Sequence, residues 1–210
     1  MSFLKRIQER RTKRIGVFSL VSGCGATHLA ISIANYYASK ERRTVLYVEC
    51  EKENGLIEIN KHSGGIMALR TKRTAAAQGV SGFERDGVLY MPSVSQEDAH
   101  RLLAENKEVI LTEVPDWAPG SCLRSGMFDR TFLVLSAKPW KYPAAESSLD
   151  QIIALNNGMV QGDCVCFGLT KTEEKKLAAD FGQRCTEIPM IRDPFCLAKE
   201  DIRFLKKLLE

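Results

Sequence analysis

IGVFSLVSGCGATHL, residues 15–29, is an apolar run that breaks into a glycine loop and resumes as an apolar helical segment, Leu29 to Ala38. Ile15, Val17, Phe18, Leu20 and Val21 read as a buried strand, and Ser22-Gly23-Cys24-Gly25-Ala26-Thr27-His28 as the turn after it. In that layout backbone N–H groups and a helix N-terminus converge on a phosphate. Such a loop normally adds a lysine for the β/γ-phosphates and a Ser or Thr for Mg²⁺. Here Ala26 stands at the lysine position and Thr27 at the hydroxyl position. The cradle is kept and its main charge is gone.

Further along, strand-like and helix-like segments alternate. Helical spacing covers residues 27–40, and TVLYV (residues 44–48) reads as a buried strand ending in Glu49-Cys50-Glu51. Residues 52–84 are irregular and suggest a helix or two between loops. Strands are expected at 88–91, 109–112, 132–136 and 165–169, with a short edge strand near 187–188. Helices are expected at 97–104, 144–155, from Thr172 to about 181, and 197–209. This alternation predicts an α/β fold of the P-loop NTPase type: a mostly parallel twisted sheet with helices on both faces. Ligands in such sheets lie beyond the carboxyl ends of the strands. Three segments mark those ends: Ser22–Thr27, Glu49–Glu51 and Glu113–Asp116.

At 210 residues, with 44% hydrophobic and 27% charged residues, the chain fits one soluble domain over 15–210 after a basic arm over 1–14. The arm carries six of the 30 basic residues and one of the 26 acidic ones, so its net charge is +5 and the remainder is −1. Such an arm suits an anionic lipid surface, nucleic acid or an acidic partner, and equally a solubilising lead-in to the first strand. No apolar run nears the ~20 residues of a membrane span, and no signal-peptide pattern is present. Seven scattered cysteines suit a reducing compartment, so the expected location is cytoplasmic, with the inner membrane face as a peripheral site. Cys164 and Cys166 have strand spacing and read as core.

These residues resemble the MinD/ParA group of deviant-Walker P-loop ATPases over nearly the whole chain. The family loop, lysine-glycine-glycine-any-glycine-lysine-threonine-threonine, falls on Val21 to His28. Its aspartate-any-aspartate falls on Glu49-Cys50-Glu51, and its magnesium-side Asp-x-Pro on Glu113-Val114-Pro115. Residues 128–152, FDRTFLVLSAKPWKYPAAESSLDQI, match the family's fifth strand and next helix, while the adenine-contacting Asn is absent near Gly168-Leu169-Thr170. The resemblance implies ATP or ADP with Mg²⁺ on Ser22, Gly23, Cys24, Gly25, Ala26, Thr27 and His28. The metal would fall to Thr27, Glu49 and Glu113, the two glutamates being the catalytic candidates.

Both family lysines are replaced, by Val21 and Ala26. Stabilising phosphoryl charge is most of what a P-loop enzyme contributes, so fast hydrolysis is not expected. The implied class is a degenerate, weakly or non-hydrolysing scaffold, similar to the TadZ-like proteins of tight-adherence pilus assembly. It would position a pilus, secretion or other cell-envelope assembly through protein partners, as a homodimer or alone, with or without nucleotide. The alternative is an active partition or positioning ATPase on DNA or membrane, its missing cation supplied by Lys138 or Lys171. DNA is disfavoured by the neutral body. A basic amphipathic stretch, residues 201–209, resembles a MinD lipid-binding tail, and it also reads as a helix packed on the sheet.

Overall fold

The computed structural model describes residues 11–50, 82–115, 123–155, 162–181 and 184–210. The first ten residues of the basic arm, Glu51, most of the irregular 52–84 segment, His62, Asp116 and Trp117 lie outside them.

Among the described residues eight strands form one sheet: β1 (Lys13–Ser19), β2 (Val45–Cys50), β3 (Phe83–Arg85), β4 (Val88–Val94), β5 (Val109–Val114), β6 (Arg130–Leu135), β7 (Asp163–Phe167) and β8 (Cys185–Ile188). Their order is β3-β4-β2-β5-β1-β6-β7-β8, and every pairing is parallel except β3 with β4. Five helices accompany them: α1 (Ala26–Ser39), α2 (Gln96–Leu102), α3 (Tyr142–Leu155), α4 (Lys171–Phe181) and α5 (Lys199–Leu209). All six residues of β2 and of β5 are buried, as expected where helices cover both faces of a parallel sheet. β1 sits between β5 and β6, where the connections change direction, so the loop after it opens at the switch point of the sheet.

Three local features depart from the sequence reading. β1 begins at Lys13, two residues before the expected strand start at Ile15. The Arg14 backbone N–H donates to Asp129 at 2.8 Å, and its Nε donates to the Leu103 carbonyl at 3.0 Å. β3 was not expected; Asp86 (φ 50) and Gly87 (φ 83) turn the chain back onto β4, a pair of positive φ values suited to a tight hairpin. The cap of α4 is Thr170, not Thr172. The Thr170 amide donates to Glu173 at 2.9 Å, and the Glu173 amide donates back to the Thr170 hydroxyl at 3.3 Å.

α1 is buried on nearly every side. Its Asn35 amide donates to the Tyr90 hydroxyl at 2.8 Å and the Pro194 carbonyl at 3.2 Å, fixing the helix to β4 and to the segment before α5. α5 turns Leu205, Leu208 and Leu209 into the core and leaves Lys206 and Lys207 exposed. The apolar face that resembled a lipid-binding tail is therefore already occupied. No helix among the described residues is long and apolar enough to cross a membrane. Because Leu205 is fully buried, Leu205→Ala is expected to cost about 2–5 kcal/mol in urea denaturation. A loss below ~0.5 kcal/mol, the level of an ordinary surface change, would show that this face is not docked.

Candidate phosphate site at the switch point

β1 releases the chain at Ser19, whose hydroxyl donates to the Val21 carbonyl at 2.8 Å and lies 3.3 Å from the Cys24 sulfur. These buried contacts fold the loop tightly. Gly23 (φ +67) and Gly25 (φ +96) take left-handed conformations that other residues rarely adopt. Gly25 is also pressed by Phe167, whose ring atoms lie 2.7 Å from where a Cβ would be. α1 starts at the next residue, and Gly25, at its N-cap, has no side chain to bond the first-turn N–H groups. The loop thus presents alternating left-handed turns and an uncapped helix end, a shape that favours an anion.

At the two lysine positions the side chains pack into the core, Val21 at 5% and Ala26 at 3% exposure. Neither contributes charge. Cys24 is buried as well, and burial pushes its thiol pKa up. The His28 Nε2–H donates to the Ile191 carbonyl at 2.6 Å, and its ring stands edge-on to Phe167.

Glu49 and Glu113 are register partners on neighbouring strands β2 and β5, and both are fully buried. The Thr27 hydroxyl donates to Glu113 Oε1 at 2.6 Å, and the Tyr47 hydroxyl donates to Glu113 Oε2. Burial first, then the charges of Glu113 and Glu49, holds the Tyr47 phenol well above its ordinary range. Tyr47 was missed in the sequence because it reads as a buried strand residue. Its position two residues before Glu49, on the same strand face, was the available signal.

A cavity of about 590 Å³ opens beside the loop. Gly23, Gly25 and His28 line it together with the apolar side chains of Phe167, which packs against Gly25 and His28, and of Trp140 and Met190. Trp140 and Met190 are the exposed large apolar side chains of the described residues, at 75% and 76%. Of the lysines proposed to replace the missing cation, Lys138 lines the cavity with its amine over the Trp140 ring at 5.7 Å, and Lys171, like Lys141, is outside the lining. Among the described residues, the lysine hydrogen-bonded to the loop backbone is Lys141. Its Nζ donates to the Ser22 carbonyl at 2.6 Å and lies 3.4 Å from the Cβ position of Gly23. The short helical turn Pro139–Lys141 brings the second lysine of the Lys-Pro-Trp-Lys segment, not the first, to Ser22. No group of three or more metal-ligating residues occurs among the described residues, and Cys164 and Cys166 are core residues of β7.

An eight-stranded, mostly parallel sheet with a glycine loop at its switch point matches solved structures along almost the full chain. MinD in the MinC:MinD cell division complex of Aquifex aeolicus superposes with a TM-score of 0.68 at 14% identity, covering 94% of this chain and 96% of that one. The fold is that of the MinD and ParA ATPases. A plasmid partition protein of Borrelia burgdorferi bound to AMPPNP gives 0.66 at 13% identity, over 95% and 97% of the two chains. MinD of Pyrococcus horikoshii complexed with Mg-ADP gives 0.64 at 13%, over 94% and 96%. No protein-family profile and no curated protein sequence matches the chain.

The Tyr47 contact makes a signed prediction. Unfolded tyrosine ionises near pH 10, whereas folded Tyr47 keeps its proton. The share of stability due to Tyr47 is therefore constant below about pH 10 and is lost as the pH rises above it. In Tyr47→Phe, the alkaline limb of the urea-midpoint profile should become shallower. Neutral stability should fall by about 1–3 kcal/mol as Glu113 loses a donor. An unchanged alkaline limb would contradict the assignment.

Proposed function

We propose that this chain is a MinD/ParA-like positioning protein that binds nucleotide in the Ser22–His28 loop and hydrolyses it slowly or not at all. One observation carries the reading: the loop keeps the geometry of a phosphate cradle while Val21 and Ala26, packed in the core, stand at both lysine positions. The cavity supports a nucleotide in particular, since its lining combines the loop glycines with the apolar side chains of Trp140, Phe167 and Met190. A ligand with both an anionic group and a planar apolar group fits such a lining.

The residues also fit Mg²⁺. Thr27 and Glu113 are in direct contact at the edge of the loop, and Glu49 is the register neighbour of Glu113. Thr27 and Glu113 would hold the ion, with Glu49 adding negative charge behind them. When bound, it supplies charge neutralisation between the phosphates. The chain's own residues contribute orientation: the loop amides and α1 fix the phosphates, and Tyr47 holds Glu113 in place. Neither glutamate stabilises negative charge on a transferring phosphoryl group, which is the work a P-loop enzyme assigns to cations.

The structural neighbours include proteins of plasmid partition and cell division, and positioning is the activity carried over to this chain. A protein partner in a pilus, secretion or other envelope assembly is the proposed target, on the resemblance to TadZ-like proteins. The second reading, a hydrolysing partition ATPase on DNA or membrane, is favoured by Lys141, whose amine does reach the loop. Turnover separates the two. Mg-ATP should raise the melting temperature, because binding at 100 times the dissociation constant adds ~2.7 kcal/mol, while phosphate release stays at background. Steady ATP turnover that Thr27→Ala abolishes would overturn the weak-hydrolysis reading.

A further inference from the structure

We infer that Lys141 is the phosphate-binding cation of this site, delivered within one chain from the turn before α3 instead of from the loop itself. The inference rests on the nucleotide-binding reading above and deepens it.

The recorded polar partner of the Lys141 amine among the described residues is the Ser22 carbonyl, at 2.6 Å, and no carboxylate forms an ion pair with it there. A backbone carbonyl neutralises no charge, so an ammonium resting on it has an electrostatic demand that a phosphate would meet. The position is also right. The amine lies 3.4 Å from the Cβ position of Gly23, the first left-handed glycine of the cradle, on the exposed side of the loop. Of the other lysines of this sheet edge, Lys138 lines the cavity but has its amine over the Trp140 ring, and Lys176 lies over the Tyr142 ring; neither is hydrogen-bonded to the loop among the described residues.

Geometry explains how a loop that lost both lysines can remain an anion site. Val21 and Ala26 are packed, so the positive charge cannot come from the loop's own side chains. The turn Pro139–Lys141 places a flexible four-carbon stem above the loop from the adjacent strand β6, which is paired with β1 along its length. On ligand binding the Lys141 amine exchanges the Ser22 carbonyl for a phosphate oxygen. Since the lysine and the loop belong to one protomer, the contact needs no second copy of the chain.

Equilibrium titrations of Mg-ATP and of inorganic tripolyphosphate against the full chain test this. The variants are Lys141→Met, Lys141→Arg and, as a charge control on the same edge, Lys171→Met. Lys141→Met should weaken both probes about tenfold to a hundredfold, the range for loss of a hydrogen bond to a charged group. Lys141→Arg should restore most of the affinity, Lys171→Met should leave it unchanged, and the wild-type dissociation constant should not vary with protein concentration. Wild-type affinity in Lys141→Met, or binding that strengthens with protein concentration, would overturn the inference. If the wild type takes tripolyphosphate through Lys141 but not ATP, the nucleotide reading fails and the lysine assignment stands. If it takes neither probe, both fall. Should Lys141→Met melt early, the Lys141→Gln variant and the salt dependence of binding give the same comparison.

Discussion

A single hydrogen-bonded chain, Thr27 to Glu113 to Tyr47, fixes the geometry on which the site depends. It joins the first turn of α1 to β5 and β2, so the α1 end of the glycine loop is anchored to the sheet. All of this lies in the buried layer, where a polar group without partners costs about 1–3 kcal/mol. Glu113 is tolerated there because two hydroxyls donate to it. The same contact that stabilises the carboxylate thus ties the α1 end of the glycine loop to the sheet.

The second constraint is charge. Backbone amides and a helix end give an anion site a modest attraction, ~0.3–1 kcal/mol for an exposed helix dipole. A phosphate chain needs more, and the loop's own side chains cannot supply it. The fold meets that need from outside the loop, through a lysine carried by the neighbouring strand's exit turn. Binding and catalysis separate on this point. A cation that tightens a ground-state phosphate contact does not by itself lower the barrier to transfer, since only contacts stronger in the transition state do so. A nucleotide-holding protein with little turnover is a coherent result of such a site.

Much of this was legible in the sequence because parallel sheets leave strong marks. Apolar runs at β1, β2, β5 and β6 had to be buried strands, and the glycine loop fixed where the first of them ends. The gathering of Thr27, Glu49 and Glu113 followed from their shared sheet edge. Other features were hidden for physical reasons. The hairpin of β3 and β4 is carried by Asp86-Gly87, a strong turn signal inside a stretch otherwise without periodicity. Lys141 could not be told from Lys138, since the choice depends on how one short helical turn carries the chain. His28 looked available to a ligand, yet its nitrogen bonds the Ile191 carbonyl, 163 residues away, a pairing that local sequence does not encode.

The central claim is that the backbone amides of the Gly23–His28 loop receive a phosphate although the loop has no lysine. Hydrogen–deuterium exchange across this loop, with saturating Mg-ATP and with adenosine alone, reads those amides most directly. The account predicts slowed exchange at Gly23–His28 with Mg-ATP and none with adenosine. Exchange that stays the same with Mg-ATP, or slows equally with adenosine, would contradict it.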